Sequence, residues 1–418
     1  MEHRVEVNVS RGASGVAAPA AVLLPTGAWP IDWRPGGMSV FTRAVYTLAQ
    51  VADTIYLPKG FAFPAGAVDD LRAEMARRET RPNVVLTEAA TGVLAPGGLF
   101  VLTEPLVFGG ELCRALQSAA GGGAVASCRR AGEAPSGLWF AAPAVADALR
   151  VWLVDPNAPL PAGVPVVEVA PQAALCERVS DEASARRAEA RLLENARKDS
   201  DTAVAKYFDR HVSGWITRRV LPTSLTPNQL TLMNTALALL AVVLLGVGTH
   251  GAQLTGAAIL LLSIVLDGCD GEVARVKFMH SELGRRLDFF SDNVVNAGAI
   301  AAIGVGAYRR FGDPTYLVLS LLSGVAALAC AWPVYAVFFR DRAPAEDGPP
   351  SALHRVLGAL NGRDFVYLVL ALAAADRTHW FVYPCFAGLM LFLPLALVLY
   401  LRHALSPVPR SATARPTR

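Results

Sequence analysis

The pattern of apolar positions divides the chain into two halves of different character. Long uncharged runs appear only after residue 230, and runs of this length are typical of helices that cross a bilayer. Shorter apolar runs alternate with helix-like stretches before that point. We therefore predict six transmembrane helices, whose apolar centres lie at 231–248, 252–266, 293–308, 314–339, 365–375 and 378–401.

Three of these apolar runs are too short to cross a bilayer by themselves. A span requires about 20 residues, so the second, third and fifth helices are expected to continue into charged flanking sequence. The second then runs past Asp267 and Asp270, the third begins near Asp288 and Asp292, and the fifth extends back through Arg363. Acidic residues are thus expected near the membrane ends of two neighbouring helices.

Residues 1–180 have the pattern of a soluble α/β domain. Strands are expected at 21–24, 54–57, 83–86, 99–102 and 164–169, separated by helix-like stretches. The predicted fold class is a Rossmann-like α/β domain followed by an all-α domain with six transmembrane helices.

Two helical segments are expected between these domains. Residues 182–199 are rich in Ala, Arg and Glu and predict a polar helix, so we place a helical linker at 181–204 and the membrane domain at 205–418. Residues 206–220 have apolar positions at helical spacing, which favours a helix in the membrane interface. A solvated linker is the alternative.

Composition excludes several classes of protein. The 418 residues are 53% hydrophobic and only 17% charged, against about 25% charged in typical soluble domains, which argues against a wholly soluble protein. The formal net charge of +3 does not indicate a nucleic-acid partner. The six cysteines form no C-x-x-C pair, so neither a disulfide framework nor a zinc site is predicted.

Basic residues predict the orientation in the membrane. They are frequent in the connections after the second and fourth spans and scarce on the opposite side, where only Arg309, Arg310 and Arg377 occur. Basic loops face the cytoplasm, so we expect a multi-pass protein of the inner, cytoplasmic membrane with its N-terminal domain and aspartates on the cytoplasmic side. The charged residues 1–10 do not predict a cleaved signal.

The segment LDGCDGEVARVKFMHSELGRRLDFFSDNVVN, residues 266–296, contains the candidate chemistry. Asp267 and Asp270 are three residues apart, and Asp288 and Asp292 are four apart, so each pair lies on one helical face. If the two helices are neighbours, the four carboxylates converge. Ionisable groups at a membrane indicate a functional site, and oxygen ligands without His or Cys favour Mg²⁺ or Mn²⁺.

The same segment contains a complete D-x-x-D-G-x-x-A-R-x8-G-x-x-x-D-x-x-x-D pattern. Eight specified positions at fixed spacing make a chance match rare. The pattern resembles the signature of the CDP-alcohol phosphatidyltransferase family, and the resemblance covers about residues 205–403. Its positions are Asp267, Asp270, Gly271, Ala274, Arg275, Gly284, Asp288 and Asp292.

The resemblance implies a role for each of these residues. Asp267, Asp270 and Asp288 would hold two divalent ions that bridge the donor pyrophosphate, and Asp292 would approach a metal and act as the catalytic base. The nucleotide would bind beside Asp267, Asp270 and the four other signature residues, which are Gly271, Ala274, Arg275 and Gly284. Small residues leave room for a nucleotide, although they are also common in helix packing. Alternatively, the aspartates only form salt bridges with neighbouring arginines.

Basic residues near these helices are candidates for binding the acceptor. Arg363 is the first choice, because it lies at the entry to the fifth span and resembles a recurrent feature of part of the family. Lys277 and Arg342 are further candidates. Charge that only determines membrane topology is the simpler explanation for all three.

The N-terminal domain resembles a degenerate nucleotidyltransferase, that is, one with a cytidylyltransferase-like start. Residues 25–29, PTGAW, occupy the turn where active members carry a G-x-G-x-R motif, and the following lysine is missing. Glu104 stands where a metal-binding Asp is expected. Without flexible glycines and positive charge, this loop would bind a triphosphate weakly, so we expect the domain to be inactive.

The resemblance implies an enzyme that transfers a substituted phosphate to an alcohol acceptor and releases CMP. CDP-diacylglycerol is the leading donor, and phospholipid biosynthesis in the bilayer the expected setting. A related alternative uses CDP-inositol and inositol phosphate. An Asp-lined cation transporter would also explain acids in a membrane, but not the spacing of Gly271, Ala274, Arg275 and Gly284. Dimers are common in the family, which makes a homodimer an expectation.

Overall fold

The computed structural model describes residues 18–26, 29–30, 32–59, 61, 63–88, 96–129, 136–146, 149, 152–155, 160–170, 174–196, 210–336 and 365–405. The chain forms two compact units. Unit 1 comprises Met1–Asp199, Thr217–Thr226 and Gly271–Ser281, and unit 2 comprises Ser200–Ile216, Pro227–Asp270 and Glu282–Arg418. The units therefore interleave along the chain, whereas the predicted domain boundaries are consecutive.

Unit 1 contains a mixed seven-stranded sheet, which confirms the α/β class. The strand order is β3-β2-β1-β4-β7-β6-β8, with β7 antiparallel to both of its neighbours and the other pairs parallel. A separate pair joins β5 to β9. The strands are β1 Ala20–Leu23, β2 Thr54–Pro58, β3 Val84–Thr87, β4 Leu99–Leu102, β5 Leu106–Phe108, β6 Val125–Cys128, β7 Leu138–Ala141, β8 Val166–Val169 and β9 Cys176–Arg178.

All five expected strands are present within one or two residues of their expected positions. The sequence analysis missed β5, β6, β7 and β9, which have only three or four residues. Three-residue runs such as β5 and β9 show too little alternation to be separated from loops, whereas β6 and β7 are as long as four of the expected strands, so length does not account for their omission. These strands form because they are paired and buried in the sheets, where Phe100 of β4 packs on Phe140 of β7 with 4.6 Å between ring centroids.

Helices cover the sheet of unit 1. Every residue of α1 is buried. The predicted polar helix is confirmed as α5, and it begins at Asp181, whose side chain accepts a hydrogen bond from the Ser184 N–H in a capping box. A 3-10 turn at Pro35–Gly37 precedes α1. The helices are α1 Val40–Leu48, α2 Ala67–Ala76, α3 Gly110–Ala120, α4 Pro143–Ala146 and α5 Glu182–Asn195.

The second half of the chain is helical. Five helical segments are long and apolar enough to cross a membrane. The remaining predicted span, the fifth along the chain, corresponds to a ten-residue helix, and Arg363 and Asp364, through which we expected it to extend, lie outside the described part of the chain; the count of six therefore stays a prediction. The helices are α6 Arg210–Val220, α7 Pro227–Val247, α8 His250–Val276, α9 Glu282–Phe311, α10 Pro314–Tyr335, α11 Phe365–Ala374 and α12 Val382–Leu405.

Glycines allow α7 to contact α8 and α9 closely. A Cβ atom on Gly306 of α9 would lie 2.5 Å from the Leu245 carbonyl oxygen, and one on Gly256 of α8 would lie 2.9 Å from the Ala241 carbonyl oxygen. Close backbone approach at small residues is the usual packing of membrane helices. It holds α8 and α9, the two helices that carry the aspartates, against the same face of α7.

Candidate active site

Three of the four signature aspartates come together in unit 2. Asp267 of α8 and Asp288 and Asp292 of α9 each offer one carboxylate oxygen, and these oxygens lie within 4.8 Å of one another. All three residues are half-buried. Among the described residues, no other group of three such side chains is this close. The four-residue spacing on α9 explains why Asp288 and Asp292 share one face.

The fourth aspartate is held by a hydroxyl group. Asp270 is only 7% exposed, and the Thr231 hydroxyl of α7 donates a hydrogen bond to its Oδ2. Asp270 is not part of the three-carboxylate group. A carboxylate this deeply buried needs polar partners, and Thr231 supplies one of them. The sequence analysis did not single out Thr231 as a partner of Asp270.

The carboxylates line a cleft formed by α7, α8 and α9. The cleft has a volume of about 360 Å³, open solvent included. Its apolar lining residues include Ala238, Leu260 and Val295. Polar residues that do not belong to the signature also line the cleft. The polar lining residues outside the signature are Thr231, Asn234, Thr235, Ser263, Ser291 and Asn296.

Helical spacing could have revealed part of this polar wall. Ser263 precedes Asp267 by four residues and Asn296 follows Asp292 by four, so each lies one turn from an aspartate on the same face. Asn234 lies three residues after Thr231 on α7. Its Oδ1 atom is buried and accepts no hydrogen bond within the described part of the chain. A buried amide oxygen of this kind is normally satisfied, so a water or a ligand group is its expected partner.

The small and basic signature residues lie on either side of the α8–α9 connection. Gly271, Ala274 and Arg275 occupy the last turns of α8 within unit 1. The Arg275 Nε donates a hydrogen bond to the Ala196 carbonyl oxygen. A Cβ atom on Gly271 would lie 3.2 Å from Arg275 Nη1, a contact that a small shift of this flexible side chain would relieve. Gly284 is the third residue of α9 and so lies inside its first turn.

Two arginines after this connection have an acidic partner outside the aspartate signature. Arg285 binds Glu282 at 2.7 Å, and the Arg286 Nε binds the same carboxylate at 3.2 Å. Both pairs are exposed and span three or four residues within α9. Exposed pairs of this kind contribute little stability.

The structure describes only one of the three residues that were predicted to bind the acceptor. Arg363 and Arg342 lie outside the described residues. Lys277 is only 5% exposed, and its Nζ donates a hydrogen bond of 2.8 Å to the Thr223 carbonyl oxygen. Burial, with a smaller contribution from the nearby Arg78 charge, lowers the pKa of Lys277 below its usual value. Lys277 therefore has a structural partner within unit 1.

The carboxyl ends of β1 and β4 meet at the point of the sheet where nucleotides bind in many α/β domains. Here the residues that follow these two strands are hydrogen-bonded to each other. The Thr26 N–H and hydroxyl, which follow β1, both lie 3.1 Å from the Thr103 carbonyl oxygen, which follows β4. Glu104, the residue in place of the expected metal-binding Asp, forms an ion pair with Arg178.

Fold and site together define a membrane protein with an all-carboxylate cluster on two adjacent helices and an α/β domain before them. Residues 224–348 match the family model described as CDP-alcohol phosphatidyltransferase. This match agrees with the family that the signature resembles.

Two curated relatives are similar to part of this chain. The chain is 34% identical over 187 residues to a protein of Rubrobacter xylanophilus. This alignment covers 45% of this chain and 39% of the relative. It is 31% identical over 140 residues to a protein of Thermococcus kodakarensis, which covers 33% of this chain and 30% of the relative. Both are named bifunctional IPC transferase and DIPP synthase. The chain spans less than half the length of the curated relatives it matches.

A solved structure is also similar. It is the crystal structure of Mycobacterium tuberculosis phosphatidylinositol phosphate synthase with CDP-DAG bound, at 16% identity and a TM-score of 0.35. The alignment covers 50% of this chain and all of that chain.

Proposed function

We propose that this chain is an integral-membrane transferase that moves a substituted phosphate from a CDP-alcohol to the hydroxyl group of an acceptor alcohol and releases CMP. One observation carries the proposal. Asp267, Asp288 and Asp292 converge to within 4.8 Å inside a domain that matches the CDP-alcohol phosphatidyltransferase model. Carboxylates this close together can hold the divalent ions that assist phosphoryl transfer.

The donor atoms of the cluster fit Mg²⁺ or Mn²⁺. Carboxylate oxygens are the ligands that these hard ions prefer, and three of them converge here. Asp267, Asp288 and Asp292, joined by Asp270, would hold two ions. When bound, the ions neutralise charge on the pyrophosphate and on the departing CMP.

Each remaining step is assigned to the chain's own residues. Asp292 accepts the proton of the acceptor hydroxyl while the acceptor oxygen bonds to the phosphorus of the substituted phosphate. The bond from that phosphorus to the oxygen of CMP breaks, and CMP leaves with the electron pair. Gly271, Ala274 and Gly284 leave room for the nucleotide, and Arg275 offers a guanidinium for a phosphate group.

The donor class has two candidates. CDP-diacylglycerol is the first, because the cleft is formed by membrane helices that a lipid can approach from the bilayer. CDP-inositol with inositol phosphate is the second, and the names of both curated relatives favour it. For an acceptor that carries a phosphate, we propose Arg363, Lys277 and Arg342 as its basic contacts.

We also propose where the enzyme is located and that its N-terminal domain, the front domain, is inactive. The basic connections support a cytoplasmic position of the N-terminal domain and the aspartates at the inner membrane, and we propose that the protein forms a homodimer there. The front domain is proposed to lack nucleotidyl transfer. The ion pair between Glu104 and Arg178 supports this, because it occupies the carboxylate that a metal would need.

A CMP-release assay on the purified full chain tests the proposal. CDP-diacylglycerol and CDP-inositol are offered separately, each with Mg²⁺ or Mn²⁺ and a panel of alcohol acceptors. Asp292→Asn should lower the rate about 10²- to 10⁴-fold, the usual effect of losing a general base. Asp313→Asn is the matched control, because Asp313 caps α10 away from the cluster, and it should retain activity.

Three results would contradict parts of the proposal. Release of CMP by Asp292→Asn at the wild-type rate would exclude Asp292 as the base. The absence of CMP with every donor would exclude the transferase and favour cation transport, which an uptake assay in vesicles would detect. Pyrophosphate released from CTP and a polyol phosphate would show that the front domain is active.

A further inference from the structure

The connection between α8 and α9 is held by buried arginines of the sheet domain within unit 1. Arg43 of α1 is 1% exposed. Its Nη1 donates a hydrogen bond of 2.8 Å to the carbonyl oxygen of Val276, the last residue of α8. Its Nη2 donates to the Pro35 carbonyl oxygen at 2.9 Å. One guanidinium thus joins a turn of the sheet domain to the end of α8.

A second arginine holds the next peptide unit. The Arg78 Nε, which is buried, donates a hydrogen bond of 2.7 Å to the Lys277 carbonyl oxygen, and its Nη1 pairs with Glu74. Arginine presents several donors in a rigid planar arrangement. Two adjacent carbonyl groups of the connection therefore each have a charged donor from the sheet domain.

The α8–α9 connection also contacts the sheet domain through ring packing and a close approach to Gly36. Phe278 packs on Tyr46 with 5.5 Å between ring centroids and lies 5.6 Å from the Arg43 guanidinium carbon. Phe278 has a φ of 53°, in the left-handed region that disfavours bulky residues. A Cβ atom on Gly36 would lie 2.5 Å from Val276 Cγ1. The start of the connection is therefore packed against the sheet domain, and Phe278 has an unusual backbone conformation.

The position of this connection links it to the aspartates. Helix α8 continues without interruption from Asp267 to Val276, so at about 1.5 Å per residue Val276 lies about 9 Å beyond Asp270 along the helix axis. The connection then ends at Glu282, the first residue of α9, which carries Asp288 and Asp292. Fixing this connection restrains both helices that supply the carboxylates.

We propose that Arg43 is a positioning residue for the aspartate cluster. It binds the Val276 carbonyl oxygen and, together with Arg78 and the Phe278 contact, holds the α8–α9 connection so that the carboxylates keep their spacing. It acts through the backbone and touches no substrate. Its effect on turnover rests on the proposed function, but its effect on the connection and on metal binding does not.

The test uses the full chain with substitutions on both sides of the contact. Arg43→Ala removes the donor and Arg43→Lys restores a charge with fewer donors, while Phe278→Ala changes only the connection. Arg129→Ala is the matched control, because Arg129 pairs with Glu168 elsewhere in the sheet domain. Leu116→Ala, in the buried core, controls for general destabilisation.

Three measurements are made on each variant: amide hydrogen exchange over 273–281, Mn²⁺ affinity by electron paramagnetic resonance, and CMP release. Arg43→Ala and Phe278→Ala should both speed exchange in this segment. Both should weaken Mn²⁺ binding about 10- to 100-fold, the usual effect of losing support behind metal ligands. Turnover should fall more than the donor KM rises, and Arg43→Lys should recover part of each loss.

Defined outcomes would overturn the inference. Unchanged exchange and Mn²⁺ affinity in Arg43→Ala would do so, and so would an equal loss in Leu116→Ala or Arg129→Ala. If Arg43→Ala does not fold, Phe278→Ala decides, and wild-type Mn²⁺ affinity in that variant would refute the proposal. Altered exchange and Mn²⁺ binding in a protein that never releases CMP would refute the proposed function while supporting the role of Arg43.

Discussion

The hydrogen bond from Thr231 to Asp270 offers a direct test of the site. Thr231→Val replaces the hydroxyl by a methyl group of similar size and leaves the buried Asp270 carboxylate without this donor. A hydrogen bond to a charged group contributes about 1.5–3 kcal/mol. Since each 1.4 kcal/mol is about a factor of ten, we expect about 10- to 100-fold weaker Mn²⁺ binding if Asp270 is a ligand oriented by Thr231.

The assay is a Mn²⁺ titration of the purified full chain, followed by electron paramagnetic resonance. Thr235→Val is the matched control, because Thr235 lines the same cleft but its hydroxyl donates to the Thr231 carbonyl oxygen of its own helix at 2.7 Å. A third variant, Asp270→Asn, closes a double-mutant cycle. In its background, Thr231→Val should have little further effect, because interacting residues are not additive.

Two results would refute this reasoning. Wild-type Mn²⁺ affinity in Thr231→Val would show that the hydroxyl does not support a metal ligand. An equal loss in Thr235→Val would show that any change in the wall of the cleft has the same effect. Full additivity with Asp270→Asn would place the action of Thr231 on a residue other than Asp270.

Three further predictions concern stability and reactivity. Gly306→Ala should lower the unfolding temperature in detergent, because its methyl group would lie 2.5 Å from a backbone oxygen, while Gly251→Ala, with open space around it, should not; equal temperatures would contradict this packing. The hydrogen bond from Arg310 lowers the pKa of Asp376 to about 2 from 3.8. This pair should therefore stabilise the fold above pH 3.8 and lose its effect as the pH falls through 2. Thermal unfolding of Asp376→Asn should lack that pH dependence. Burial raises the pKa of the Cys113 thiol to about 12, so maleimide labelling at pH 8, read by peptide mass spectrometry, should occur only after unfolding, and rapid labelling of the native protein would contradict it.

Local patterns in the sequence were sufficient for much of the fold. Five strands of the sheet were predicted because apolar runs bounded by turn residues are a local signal. The same holds for the long apolar helices, whose length follows from the thickness of the bilayer. Strands such as Leu106–Phe108 could not be predicted, because three residues carry no period and their pairing with Cys176–Arg178 is distant in sequence.

The sequence by itself determined that Asp288 and Asp292 share one helical face, because they lie four residues apart. Only the tertiary structure decided which groups support them. Thr231 reaches Asp270 across 39 residues of sequence, and Arg43 reaches Val276 across 233. Contacts between such distant residues depend on how helices and sheet pack in three dimensions, and no local pattern of residue types encodes that packing.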